Sequence, residues 1–251
     1  MCIRDSYKTG NFEKANAAFR DQVAKFSDGN QLYADGLFMV SETYYENQQH
    51  EKALEAYRVA KPVLETSQRI TNNRLLNLLH GAQVANKVKN YKEAITFAEP
   101  LLKMEIDKSI KQDAQLQIGD ARRGLKEDAE ALTAYEQAAS HPGVTGARAR
   151  CMMGDMLFIQ KNFGDAIDNY KLVGFGYGGD QAAADVKGWQ AYATYEVAHC
   201  YFVQVSSATD PAMKKKLTDE SVKYFKQLIE KYPNDRFAEQ AKEELKKLGA
   251  K

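Results

Sequence analysis

A pattern of small and large side chains recurs along this chain, and such a repeat constrains the fold more than any single motif. Its clearest copy is 151–173, CMMGDMLFIQKNFGDAIDNYKLV, in which small Gly154 and Ala166 stand among large Leu157 and Tyr170. Apolar residues recur at spacings of three and four in each half, which is typical of amphipathic helices. The segment therefore predicts two short helices joined by a turn, with the small residues at the points of close approach.

Further copies of this hairpin follow one another along the chain. The small residues of the second helices are Ala15, Ala53, Ala94, Ala131, Ala166 and Ser221, which are 38, 41, 37, 35 and 55 residues apart. A second core position comes four residues later on the same helix face, at Phe19, Tyr57, Ala98, Tyr135, Tyr170 and Phe225. Turn or aromatic residues come three positions before most of the small ones, at Phe12, His50, Tyr91, Asp128 and Phe163.

The first helices carry small residues of their own at Ser41, Ala82, Gly119, Gly154 and Ala198. A single hairpin cannot bury both of its apolar faces, so the repeat predicts a stacked, all-α array.

These residues resemble the tetratricopeptide repeat, a helix–turn–helix unit. The resemblance covers residues 7–232 as about five and a half repeats and implies an all-α, right-handed α-solenoid of tetratricopeptide-like repeats. It leaves residues 233–251 as a capping helix, with Phe237, Ala238, Ala241, Leu245 and Leu248 facing inward. The segment SVKYFKQLIEKYPNDRFAEQAKEELKKL is similar to the ends of bacterial envelope repeat proteins, among them outer-membrane assembly lipoproteins and the Tol-Pal coordinating protein. That similarity favours the periplasm or the cell envelope, and a cytoplasmic location stays open.

The first residues require a separate interpretation. Residues 1–6, MCIRDS, resemble the translation of a transposon adapter used in sequencing libraries, so we exclude them from fold reasoning. Residues 7–26 read as a turn and a second helix, with no room for a partner helix before them. We therefore expect an N-terminally truncated metagenomic fragment, whose upstream part could carry a signal, a lipid anchor or a catalytic domain.

Composition narrows the function classes. The net charge of +1 argues against a dedicated nucleic-acid or membrane-surface protein. No apolar run approaches the roughly 18 residues that a membrane-spanning helix needs. The three cysteines are too few for a disulfide framework in a chain of 251 residues.

Two short motifs invite a chemical interpretation. Residues 174–179, GFGYGG, match the dinucleotide-binding pattern G-x-G-x-x-G, but that pattern works between a strand and a helix, and this one follows a helix. We interpret it as an inter-repeat loop, with a functional loop over a binding groove as the alternative. His199 and Cys200 are adjacent, so on a helix they point about 100° apart and do not suit one metal ion. We therefore expect no cofactor, no metal site and no catalytic residue.

The resemblance implies a non-catalytic scaffold that binds a protein or peptide in a concave groove lined by the first helices. Carried over repeat by repeat, the candidate partner-binding residues are Phe38, Glu42, Tyr45, Leu79, Gln83, Asn86, Leu116, Asp120, Arg123, Asp155, Phe158, Tyr195, His199 and Phe202, with Cys151 beside them. Aromatic and acidic residues together favour an apolar segment that carries positive charge. Phe38 and Glu42 stand where a Lys/Asn clamp for a terminal carboxylate would begin, so we expect no such clamp. Packing of several of these aromatic residues between helices remains the alternative.

Three hypotheses about function follow. The leading one is the interaction scaffold, with a role in assembling a bacterial envelope complex. The second is a regulatory region of a larger enzyme whose catalytic domain lay upstream. The third is a structural array that self-associates. None involves nucleic acid or a membrane span within these residues.

Overall fold

The computed structural model describes residues 3–26, 29–66 and 71–250. Over these residues the chain is helical and has no strand, which confirms the predicted all-α repeat architecture. The α-helices are α1 (Ile3–Lys8), α2 (Phe12–Lys25), α3 (Gln31–Glu46), α4 (His50–Glu65), α5 (Asn72–Lys87), α6 (Tyr91–Lys103), α7 (Lys108–Gly124), α8 (Asp128–Ala138), α9 (Val144–Ile159), α10 (Phe163–Gly174), α11 (Ala184–Val205), α12 (Pro211–Lys231) and α13 (Arg236–Lys247). A short 3₁₀ helix, Gly179–Gln181, precedes α11.

The chain divides into two compact units, residues 1–134 and 135–251, and the division falls within α8. In the first unit, successive helices from α1 to α7 pack against one another, around a core that includes Tyr57, Phe97 and Leu101. In the second unit, α9 to α13 pack in the same way around Tyr170, Phe225 and Leu228. Each unit therefore contains its own series of stacked hairpins.

One turn geometry joins the helices of five hairpins. The residue two positions before each second helix lies in the left-handed backbone region: Gly10 (φ 77°), Gln48 (56°), Lys89 (62°), Lys126 (63°) and Lys161 (61°). In the α9–α10 turn, Lys161 N–H donates to Phe158 O and Asn162 N–H donates to Leu157 O, both at 2.9 Å. Equivalent pairs of bonds close the other four turns. These are the two bonds of the Schellman motif, which satisfy carbonyl groups left over at the end of a helix.

The small residues lie where helices approach closely, as the repeat predicts. A Cβ added to Gly154 of α9 would lie 2.5 Å from Cε1 of Tyr170 on α10. The same relation exists between Gly81 of α5 and Phe97 of α6, where the added Cβ would lie 2.6 Å from Cδ1. Ser41 and Ala82, the small residues that the repeat predicts in α3 and α5, are fully buried. Each ring is accommodated because the facing helix has little or no side chain at that point.

The structure differs from the sequence interpretation at the start of the chain. The sequence left no room for a helix before α2, but residues 3–8 form the short helix α1, which packs on α2. Asn11 N–H donates to Ser6 O at 2.9 Å, and Ser6 is buried. Residues 3–6 therefore contribute to the first hairpin. The six-residue helix is too short for the three- and four-residue periodicity to show in the sequence.

The longest repeat spacing also has a structural explanation. The helices α11 and α12 have 22 and 21 residues, whereas α9 and α10 have 16 and 12. The residues that separate Ala166 from Ser221 therefore extend one hairpin and do not form an additional one. At the end of the second unit, Phe237, Ala238, Ala241 and Leu245 of α13 are buried, and Leu248, the fifth residue predicted to face inward, is half-buried at the helix end.

Replacing Gly154 by Leu should destabilise the protein by about 1–3 kcal/mol, because the new side chain enters the space of the Tyr170 ring. Gly164→Ala is the matched control in the same hairpin, since a Cβ there meets nothing within 4 Å. The control should be neutral or stabilising by up to about 1 kcal/mol. Urea unfolding followed by circular dichroism measures both. Equal effects for the two variants would contradict the packing described here.

Replacing Lys161 by Gly should stabilise the protein by a few tenths to about 1 kcal/mol, because glycine adopts the left-handed conformation without the cost of a Cβ. The same substitution at Lys216, which is exposed within α12, should destabilise by up to about 1 kcal/mol. Chemical unfolding should therefore show opposite signs for the two Lys→Gly variants. Effects of the same sign would exclude the Schellman geometry at Lys161.

Candidate partner-binding surface

Five of the predicted partner-binding positions are buried, Glu42 and four positions without charge. Phe38, Leu79 and Leu116 are no more than 8% exposed, and Cys151 is fully buried. Burial also raises the pKa of the Cys151 thiol well above its usual value. Each of these four residues lies about two turns into its helix, on the side that packs against neighbouring helices. For them the structure corrects the prediction of partner contact in favour of the alternative, packing between helices.

Glu42 was predicted to face a partner but is held inside the first unit. Its side chain is 7% exposed, Tyr57 Oη donates to its Oε1 at 2.5 Å, and His80 Nδ1 lies 3.0 Å from the same oxygen. Burial, and then the Glu42 charge, raise the pKa of Tyr57, so the phenol remains a proton donor. Glu42 therefore connects α3, α4 and α5. Its role here is structural, and its carboxylate does not face an open surface.

Three other candidates, Tyr45 on α3 and Gln83 and Asn86 on α5, connect neighbouring first helices. Tyr45 stacks on the His80 ring with centroids 4.6 Å apart, and its hydroxyl donates to Gln83 Oε1 at 2.8 Å. Asn86 Nδ2 donates to the backbone oxygen of Gln117 at 2.9 Å. These contacts link α3 to α5 and α5 to α7. At the end of α7, Asp120 is half-buried and Arg123 is exposed.

In the second unit, Asp155 repeats the arrangement found at Glu42. Tyr170 Oη donates to Asp155 Oδ1 at 2.8 Å, and Tyr192 Oη donates to the same oxygen at 2.6 Å. In both units the tyrosine on the second helix follows the carboxylate by fifteen residues, 42 to 57 and 155 to 170. Burial and nearby carboxylates raise the pKa values of both tyrosines at Asp155. This carboxylate therefore joins α9, α10 and α11.

The remaining candidates of the second unit form a continuous aromatic surface. The His199 ring lies between Phe158 and Phe202, with centroid distances of 5.4 and 6.2 Å and interplanar angles of 24° and 26°. Tyr195 lies 5.7 Å from His199. All four side chains are half-buried, and they come from the two neighbouring first helices α9 and α11. We call Phe158, Tyr195, His199 and Phe202 the aromatic row.

Carboxylates accompany the aromatic row. The Glu196 side chain is 15% exposed, and its Oε2 lies 3.4 Å from His199 Nδ1. Burial raises the pKa of Tyr195 to about 12, with further contributions from Glu244 and Glu196. Aromatic faces beside negative charge attract a cation through the ring quadrupole and through Coulomb attraction. The row therefore combines apolar rings with one shielded carboxylate, that of Glu196.

His199 and Cys200 point to different environments, as expected for neighbours on a helix. His199 belongs to the aromatic row, whereas Cys200 is fully buried and burial raises its pKa to about 12. Among residues 3–26, 29–66 and 71–250, no three His, Cys, Asp or Glu side chains are arranged to hold a metal ion. In the same ranges, no helix has the length and apolar character needed to cross a membrane.

The glycine-rich segment 174–179 is an ordered connection between α10 and α11. Tyr177, Gly178 and Gly179 all lie in the left-handed region, with φ of 49°, 89° and 53°. Gln190 of α11 is fully buried, and its Nε2 donates to the backbone oxygens of Gly176 and Gly179, both at 3.1 Å. The hydroxyl of Tyr232 donates to Gln190 Oε1 at 3.1 Å. Among the two interpretations from the sequence, these contacts favour the inter-repeat loop.

Sequence reasoning missed several residues that shape this surface. His80, Gln190, Tyr192 and Glu196 were absent from the candidates, although each contacts a predicted residue or positions its helix. One signal was readable in advance, the fifteen-residue spacing between an acid of the first helix and a tyrosine of the second. Asp120 and Tyr135 show the same spacing.

Comparisons with known proteins agree with this architecture. Two models described as tetratricopeptide repeats match the chain, one over residues 3–64 and the other over residues 113–143 and 212–235. None of the curated protein sequences compared is significantly similar to the chain.

Solved structures show the same fold. A tetratricopeptide repeat protein from Parabacteroides merdae superposes with a TM-score of 0.57 at 13% identity, covering 98% of this chain and 96% of that one. A Rap protein crystallised with competence and sporulation factor superposes with a TM-score of 0.54 at 17% identity, covering 98% of this chain and 73% of that one. The chain therefore contains tetratricopeptide repeats over the matched residues, and its fold is that of tetratricopeptide repeat proteins.

Proposed function

We propose that this protein binds a peptide or an extended protein segment on the aromatic row of its second unit. The tetratricopeptide fold supports a protein–protein interaction scaffold and is typically non-catalytic. The observation that carries the proposal is the set of four half-buried aromatic side chains on α9 and α11, beside the shielded carboxylate of Glu196. One side of these rings packs on the core, with Phe158 against Phe163 and both Tyr195 and Phe202 against Phe225, and the part that stays exposed is the proposed contact surface.

The contacts within the row favour one class of ligand. Phe158, His199 and Phe202 have nearly parallel rings, so apolar side chains of a segment can lie along them. Glu196 provides negative charge at low exposure, where Coulomb attraction is weakly screened. An apolar or aromatic segment with a Lys or Arg is the complementary ligand. The Rap protein solved with competence and sporulation factor shows that this fold accommodates a bound factor.

We also propose that this binding serves the assembly of a bacterial envelope complex. It is supported by the similarity of residues 221–248 to the ends of envelope repeat proteins. Recovery of the upstream gene sequence would test it, since a secretion signal or lipid-attachment site is expected there. An upstream catalytic domain instead would favour the regulatory role in a larger enzyme.

Replacing Phe158 and Phe202 together by Ala should weaken binding of peptides selected from a random library by about tenfold or more, because both rings line the row. Phe175→Ala is the matched control. This ring is 40% exposed and lies against Tyr224, on the side of the second helices. Fluorescence anisotropy measures the affinities, and thermal unfolding confirms that all variants are folded. Equal affinity of the double variant and the wild type would overturn the proposed site.

A further inference from the structure

The second unit has another apolar depression, separate from the aromatic row. It lies between α12 and α13 and has a volume of about 520 Å³. Ile229 of α12, Leu245 of α13 and Ala250 form its floor, and Lys226, Lys242 and Lys246 line its edges. We call this feature the α12–α13 groove. It is almost wholly apolar inside and carries three lysines at the edge.

The position of the groove within the repeat pattern indicates what fits there. Each earlier first helix of this unit packs against the second helix of its own hairpin, α9 against α10 and α11 against α12. α13 follows a second helix and contacts α11 and α12, so it occupies the position of a first helix. Among residues 135–250, α11 packs on two second helices, α10 and α12, whereas α13 packs on one, α12. The apolar groove beside that contact therefore has the character of a seat for one more helix.

The charges at the edge select among the helices that could lie in it. Lys226 and Lys246 form no ion pair with any residue that the structure describes, whereas Lys242 bonds Glu239 at 2.6 Å. Glu230 is the single acidic residue among those lining the groove. Two copies of the chain paired through this groove would bring lysine edges together, which is unfavourable. An incoming helix with Asp or Glu beside its apolar face would be attracted instead.

We propose that the α12–α13 groove binds an amphipathic helix of a partner protein, one whose apolar face is flanked by acidic residues. The apolar face would cover Ile229 and Leu245, and the acidic residues would pair with Lys226 and Lys246. This is a helix-in-groove mode of recognition, with affinity from the buried apolar area and selectivity from the charged edges. It uses a surface distinct from the aromatic row and does not depend on the function proposed for that row.

The experiment selects binders from a display library of amphipathic helices. Their apolar positions are Leu, Ile, Met or Phe, and their flanking positions vary among Asp, Glu, Lys and Arg. Selected helices should be enriched in Asp and Glu at the flanks. Lys226→Glu with Lys246→Glu should weaken their binding about tenfold or more, since the double reversal replaces attraction by repulsion at both edges. Lys214→Glu with Lys216→Glu, on exposed positions of the same helix, is the matched control and should leave affinity nearly unchanged.

Three results would overturn the proposal. One is enrichment of Lys and Arg, or no enrichment, at the flanking positions. Another is equal loss of affinity in the groove variant and in the matched control. The third is a concentration-dependent dimer in sedimentation that Ile229→Glu abolishes, because the groove would then be occupied by a second copy. If the selected helices bind the Phe158→Ala variant as tightly as the wild type, they bind the α12–α13 groove and not the aromatic row.

Discussion

The structure depends on one steric constraint, the placement of a large ring against a position with almost no side chain on the facing helix. Tyr170 lies over Gly154 and Phe97 lies over Gly81, each closer than a Cβ would allow. The glycine lowers the stability of its helix by about 1 kcal/mol relative to alanine. Burial of the ring stabilises the fold by about 1.5–3 kcal/mol, which offsets that loss. Because this contact fixes how two helices meet, it also fixes which residues of the first helix remain at the surface.

A polar contact then joins one hairpin to the next. Glu42 and Asp155 each accept a hydrogen bond from a tyrosine of their own hairpin, and each also contacts a side chain of the following first helix, His80 or Tyr192. Hydrogen bonds to a charged group contribute about 1.5–3 kcal/mol. These carboxylates are therefore occupied by contacts within the fold.

The sequence predicted the parts of the fold that depend on local spacing. The succession of helical hairpins, the small residue at Gly154 and the inward face of α13 all follow from three- and four-residue periodicity. Burial of Phe38 and Leu79 could not be predicted in this way, because it depends on how closely the neighbouring helix packs. The contact of Gln190 with Tyr232 joins residues 42 positions apart, beyond the reach of any local pattern.

The candidate site was predictable only in part for the same reason. Repeat position identified Phe158, Tyr195, His199 and Phe202, and the structure brings these four together. Repeat position also selected Glu42, whose burial results from Tyr57 and His80 on two other helices. The number of neighbours that close over a residue is a tertiary property. A periodic sequence indicates which helix face a side chain occupies, but not how far that face is covered.

Photo-crosslinking of a library-selected basic peptide tests the central claim, that ligands bind on the first helices of the second unit. One variant carries a photoreactive residue in place of Ile159, which is 77% exposed at the end of α9, and another carries it in place of Leu172, which is 52% exposed on α10. We expect a crosslink from position 159 that unlabelled peptide suppresses, and none from position 172. A crosslink from position 172 alone would contradict it.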